Sequence, residues 1–145
     1  MTNRCWMTGP FSCLNANTKT FMANGKTILI VDDDPGARRL LQFVLAKSGC
    51  DIVPAPGGAQ ALSIACNQPV HLLVTDLMMD GMDGFELTQA LHRMPAYGLL
   101  PVIMLTARWQ IEYQGEAGNE TQVAMMTKPF SPIELLAKVK LLLKL

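Results

Sequence analysis

The chain has no pair of cysteines at metal-ligand spacing. Its four, at positions 5, 13, 50 and 66, form no CxxC, which argues against zinc and leaves free intracellular thiols as the simplest state. It has no excess of either charge: Lys plus Arg and Asp plus Glu are both 12. Nothing in the bulk therefore draws it onto nucleic acid or an anionic membrane, and any partner must be chosen locally. No stretch approaches the roughly 18 consecutive apolar residues of a membrane span, and the N-terminus lacks the compact apolar core of a secretory leader. Internal repeats and low-complexity tracts are missing too. At 145 residues the length suits one domain with a core large enough to need no disulfides. A cytoplasmic protein is the expectation.

What is there falls into two parts. Residues 1–24, "MTNRCWMTGPFSCLNANTKTFMAN", show neither helical nor strand periodicity and read as a poorly ordered tail. Residues 25–145 read as the folded domain. From Thr27 short β-rich runs alternate with helical stripes: 27–31, 51–55, 71–75, 101–105 and 123–127 are near-continuous apolar runs, as expected of strands covered on both faces. Between them lie the stripes Ala37, Leu40, Leu41, Val44, Leu45; Gly58, Ala61, Leu62, Ala65, Cys66; and Leu87, Ala90, Leu91, Met94. Ile133, Leu135, Leu136, Val139, Leu142 and Leu143 close the chain.

Helix starts are marked by Asp34 before Pro35, by Asp83 with Glu86, and by Ser131 with Pro132 and Glu134. The fourth helical slot, "ARWQIEYQGEAGNETQ", is weak. Gly115 and Gly118 each cost a helix about 1 kcal/mol relative to alanine, so a short or frayed helix is expected. The alternation implies an α/β fold, a parallel sheet with right-handed crossovers and helices on both faces.

The stretch "HLLVTDLMMDGMDG" (71–84) breaks the apolar pattern at Asp76. In an open parallel sheet ligands bind at the carboxyl ends of the strands, near the point where strand order reverses. Asp32 and Asp33 follow the first run, Asp76 the third, Thr106 the fourth and Lys128 the fifth. The topology would gather them at one edge. Crowded carboxylates repel by about 4 kcal/mol per pair at about 4 Å and an effective dielectric near 20. A hard divalent cation would compensate, and Mg²⁺ favours one or two carboxylates together with waters and phosphate oxygens. With an ammonium and a hydroxyl added, the set describes a site for a phosphoryl group, one aspartate being free to attack phosphorus.

The segments "ILIVDDDPGARRLL", "LLVTDLMMDGMDGFEL", "VIMLTA" and "KPFSPIELL" resemble, in order and spacing, the signature segments of the response-regulator receiver domain. The resemblance covers residues 26–144. It implies a flavodoxin-like, doubly wound five-stranded parallel sheet of order 2-1-3-4-5, and transfer of a phosphoryl group from a histidine kinase or histidine phosphotransfer protein. Asp76 resembles the phosphoacceptor, and Asp33 with Asp76 the direct Mg²⁺ ligands. Asp32 would act through water, and the main-chain carbonyl of Met78 would complete the protein's share. Thr106 and Lys128 match the residues that contact the phosphoryl oxygens, and the Lys128–Pro129 bond would be cis. The downstream protein target would bind the face made by the fourth helix, fifth strand and fifth helix. No turnover enzyme is implied, only self-phosphotransfer and autodephosphorylation. Met78 and Arg108 stand where the family flanks the path of the attacking water, so slow autodephosphorylation is expected.

Some positions depart from the family. Asp80 replaces the usual proline, Thr121 and Gln122 the usual Gly-Ala, and Met125 the usual aromatic switch residue. Phosphorylation is therefore expected to act by ordering residues 108–120 more than by flipping one ring. A pseudo-receiver that binds partners without phosphorylation stays open on these grounds. A haloacid-dehalogenase-type phosphatase could use the DxD in "DDDPGA". That reading lacks the threonine or valine expected after the motif and the acidic pair beyond the lysine, and it leaves Asp76 idle. Asp34 and Asp83 read as helix caps, Met78, Met79 and Met82 as loop and core packing rather than Cu(I) ligands, and Cys50 and Cys66 as small core residues. His71 and His92 have no partner that suggests catalysis.

Overall fold

Runs as apolar as "TILIV" and "VIMLT" cannot leave either face in water, and they pair in parallel. The computed structural model describes residues 25–107 and 123–145. Strands β1 (Thr27–Val31), β2 (Asp51–Ala55), β3 (Leu72–Asp76), β4 (Val102–Thr106) and β5 (Val123–Thr127) form one sheet. Its order is β2-β1-β3-β4-β5, with every ladder parallel. This is the flavodoxin-like sheet expected from the sequence. Among the described residues the α-helices are α1 (Pro35–Leu45), α2 (Gly58–Asn67), α3 (Gly84–His92) and α4 (Pro132–Leu143).

Successive strand residues point to opposite faces, so each central strand feeds two cores. Ile28, Ile30, Leu72, Val74 and Ile103 meet Leu41 and Leu45 of α1 and Leu135 and Val139 of α4. Leu29, Val31, Leu73 and Met104 meet Ala61 and Ala65 of α2 and Leu87 and Leu91 of α3. The described α-helices thus lie two on each face. Among the described residues no helix is long and apolar enough to cross a membrane.

Three caps are in place. Asp34 accepts from the backbone N–H of Gly36 and Ala37, Asp83 and Glu86 form a reciprocal capping box, and Ser131 accepts from Glu134 N–H. Each ends a strand-to-helix turn at the carboxyl edge of the sheet, so helix starts and site residues share the same loops.

The structure shifts some sequence expectations. The third and fourth strands start one residue later than the apolar runs 71–75 and 101–105 suggest. Pro101 has no N–H to give a ladder; it offers only its carbonyl, to Leu73 N–H at 3.1 Å. His71 is a strand flank instead: its N–H donates to Thr27 O at 2.8 Å, and its ring Nδ1 accepts from Thr27 N–H at 3.0 Å. Leu40 and Ile133, placed on inward stripes by spacing, are 51 % and 80 % exposed. Helix α1 seats on the sheet through Leu41, Val44 and Leu45, which leaves Leu40 about 100° round the axis from Leu41. Likewise α4 seats through Leu135, Val139 and Leu143, and Ile133 falls on the far side. Cys50 is buried and Cys66 half-buried. The weak fourth helical slot, with Arg108, Thr121 and Gln122, lies outside the described residues, as does the segment 1–24.

Candidate functional site

The one-residue shift matters for the site. Asp76 and Thr106 are the last residues of their strands and not the first residues beyond them. Asp76 is in register with Leu105, and Thr106 with Thr127, so the sheet ladder fixes both backbones. Beside them, Asp32 follows β1 with its N–H donating to Ala55 O at 3.2 Å, and Lys128 follows β5 with its N–H donating to Thr106 O at 2.8 Å. Leu77 N–H donates to Leu105 O at 2.9 Å. All the loops of the site therefore start from hydrogen-bonded strand ends.

The side chains of Asp32, Asp33, Asp76 and Lys128 converge at this edge. Lys128 Nζ lies 3.1 Å from Asp32 Oδ2 and 3.5 Å from Asp76 Oδ2. Carboxylate oxygens of Asp32, Asp33 and Asp76 all lie within 4.8 Å of one another. Asp32 is buried at 1 % exposure, Asp33 is exposed, and Asp76 is half-buried. Thr106, at 2 % exposure, ends the strand beside that of Asp76. Met78 is half exposed, and its backbone amide hydrogen-bonds the Asp76 carboxylate. The Lys128–Pro129 bond is cis, as the resemblance implies. Met125 lies half-buried on β5 against the core on the α2 and α3 side.

Burial raises the Asp76 carboxyl above the ordinary carboxylate range; Lys128 pulls it down, the Asp32 charge pushes it up, and the Met78 amide pulls it down again. For Lys128, burial acts to lower the ammonium, yet its hydrogen bond to Asp32 and the charges of Asp32 and Asp76 together raise it. One ammonium is shared by two carboxylates and sits closer to Asp32. Asp76 is therefore the less compensated of the pair.

The donor set fits a hard divalent cation. Three carboxylates face one ammonium, all the side-chain donors are oxygens, and Asp33 and Asp76 are the accessible pair. Asp34 is committed elsewhere as the α1 cap, and its own N–H donates to Asp32 Oδ1 at 3.0 Å. Asp83 is likewise a cap. Asp80 approaches only through its N–H, 3.5 Å from Asp33 Oδ2.

Three supporting residues escaped the sequence reading. Arg38 NH1 donates to the carbonyl of Asp32 at 2.7 Å, and Thr75 Oγ1 donates to the carbonyl of Asp76 at 2.9 Å. Gly84 packs so closely that a Cβ there would sit 2.6 Å from Asp76 O. The arginine one turn into the helix after an acidic loop, and the glycine after the second acidic cap, were the available signals. Neither says which carbonyl is met.

A flavodoxin-like sheet carrying an acidic triad and a lysine at its carboxyl edge defines a receiver. Comparison with known proteins agrees. A family model described as the response regulator receiver domain matches residues 28–140, and the chain belongs to that family. It is 38% identical over 120 residues to the alkaline phosphatase synthesis transcriptional regulatory protein PhoP of Bacillus subtilis, covering 82% of this chain and 49% of that protein. It is 40% identical over 113 residues to an uncharacterized 14.6 kDa protein of Leptolyngbya boryana, covering 78% of this chain and 86% of that one. The chain thus spans about half the length of PhoP and most of the Leptolyngbya protein. Among solved structures, the chemotaxis response regulator CheY4 of Vibrio cholerae superposes with a TM-score of 0.73 at 27% identity, covering 82% of this chain and 99% of CheY4.

Proposed function

We propose that this receiver domain takes a phosphoryl group onto Asp76 from a histidine kinase or histidine phosphotransfer protein, in a Mg²⁺-dependent reaction in the cytoplasm, and so switches a face that binds a downstream protein. The observation that carries the reading is the Lys128 ammonium, 3.1 Å from Asp32 and 3.5 Å from Asp76, beside an Asp33 whose carboxylate lies within 4.8 Å of both others.

Asp76 is the acceptor because it is the open member of the pair. Asp32 is 1 % exposed, with one carboxylate oxygen held by Asp34 N–H and the other by Lys128. It is too enclosed to attack as a dehalogenase-type nucleophile. An Asp76 oxygen forms its bond to phosphorus as the bond from phosphorus to the donor's imidazole nitrogen breaks, the nitrogen keeping the electron pair. Lys128 and Thr106 meet the phosphoryl oxygens. Asp33, Asp76 and the Met78 carbonyl would hold Mg²⁺, with Asp32 acting through water; when bound, the ion supplies positive charge for the phosphoryl oxygens. The donor approaches past an apolar cleft lined by Ala37, Leu40, Leu41 and Phe130, which borders Asp32 and Lys128. The reaction is self-modification, with no turnover of a separate substrate.

Incubation with acetyl phosphate and Mg²⁺, followed by intact-mass measurement, tests this. One added phosphoryl group is expected on the wild type and none on Asp76→Asn. Full labelling of the Asn variant would move the acceptor elsewhere. An inert wild type would favour the pseudo-receiver, for which Met125 at the position of the usual aromatic is the supporting observation.

A further inference from the structure

We propose that Arg38 is a positioning residue for the divalent-cation site. Its guanidinium locks the Asp32–Asp33 peptide and so aims the Asp33 carboxylate. The inference rests on the cation-dependent reading above.

Arg38 is half-buried one turn into α1. Its side chain reaches back over six positions, and NH1 donates to Asp32 O at 2.7 Å. That is shorter than either contact of the Asp32 carboxylate, 3.0 Å from Asp34 N–H and 3.1 Å from Lys128. With Asp32 N–H given to Ala55 O, all four polar points of Asp32 are held by four different residues, one on a strand, one on α1 and two in loops. Asp33 differs. It is exposed, and the contact its carboxylate makes with Asp80 N–H is 3.5 Å long. The point from which its side chain departs follows from the peptide plane before it, and Arg38 grips the oxygen of that plane. A charge-assisted bond to a main-chain carbonyl is strong enough to resist rotation of that peptide.

The alternative role is electrostatic, and it has the opposite sign. A guanidinium near three carboxylates repels an incoming cation, so removing its charge alone would tighten cation binding. Removing an orienting bond weakens it, because a ligand then samples directions away from the ion.

Titration of Mg²⁺ into the full, unphosphorylated, metal-free chain by calorimetry separates the two. Arg38→Met is expected to bind Mg²⁺ about tenfold more weakly than wild type. Arg39→Met, which removes the same charge from the exposed neighbour, is expected to bind equally or more tightly. Arg38→Lys should recover part of the loss. Equal or tighter binding by Arg38→Met overturns the proposal while leaving the site reading intact. A wild type with no saturable Mg²⁺ binding overturns both. If circular dichroism shows that Arg38→Met has not folded, Arg38→Gln takes its place with the same expected direction, and equal or tighter binding there overturns the proposal.

Discussion

Gly84 leaves no room for a side chain against the main chain of Asp76: a Cβ on it would lie 2.6 Å from Asp76 O and 3.0 Å from Leu77 Cα. Gly84 N–H also donates to Leu77 O at 2.9 Å, so the start of α3 is bonded to the loop that leaves the proposed acceptor. Both obstructing groups are backbone and cannot rotate away. Gly84→Ala should therefore lower stability by about 1–3 kcal/mol, against the usual preference of helices for alanine. Urea denaturation measures it, and an unchanged or higher midpoint would show that this turn yields easily.

His71 should make stability depend on pH. Burial, and then the nearby Lys26 charge, hold its imidazole below the ordinary 6.5. A depressed histidine contributes stability that is present above the unfolded value and is lost as pH falls from there through the folded value. Protonation at Nδ1 would also remove the acceptor of Thr27 N–H. In His71→Asn an amide oxygen can accept the same bond without titrating, so the decline below about pH 6.5 should flatten. Denaturation curves at pH 7.5 and at successively lower pH check this; parallel profiles for the two proteins would remove His71 as the cause.

Lys128 and Mg²⁺ should compete for the same carboxylates. The ammonium lies 3.1 Å from Asp32 and 3.5 Å from Asp76, and its pKa is raised by them despite burial. Lys128→Met is expected to bind Mg²⁺ several-fold more tightly and, without the cation, to be less stable than wild type, because two neighbouring carboxylates lose their counter-charge. Calorimetric titration and metal-free melting read the two effects. Weaker Mg²⁺ binding would mean that the lysine orients the carboxylates more than it neutralises them.

Met78 should slow loss of the phosphoryl group. Its side chain is 49% exposed two residues beyond Asp76, an apolar group at the position that, by the resemblance to receivers, flanks the path of the attacking water. Met78→Asn combined with Arg108→Glu is expected to speed autodephosphorylation. The decay of phosphoprotein after removal of the phosphodonor is the measurement, and an unchanged or slower decay would exclude this account.

The residues proposed to carry the chemistry could be read in the sequence because each interrupts a strong local pattern. Asp76 ends an apolar run, Asp32 and Asp33 stand between a strand and a proline-marked helix start, and Lys128 precedes Pro129. The strand limits were harder. His71 looks like the start of a strand, yet its ring and N–H close on Thr27 instead, and Pro101 gives only its carbonyl to the ladder. Leu40 and Ile133 fit a helical spacing, but spacing alone does not say where an apolar stripe ends and the solvent side begins.

By itself the sequence determined the alternation of strand and helix, the parallel sheet and the set of five polar residues, because periodicity, caps and strand-end polarity are local properties that neighbouring residues impose on one another. Only the tertiary structure decided how charge is shared: that Lys128 sits nearer Asp32 than Asp76, that Asp32 is sealed while Asp33 is open, and that Arg38, Thr75 and Gly84 bear on the backbone of the acidic residues. These are distances between atoms brought together by packing of the helices on the sheet. Burial then sets what each charge is worth, since a carboxylate's pKa follows from the solvent it loses and the partners it gains.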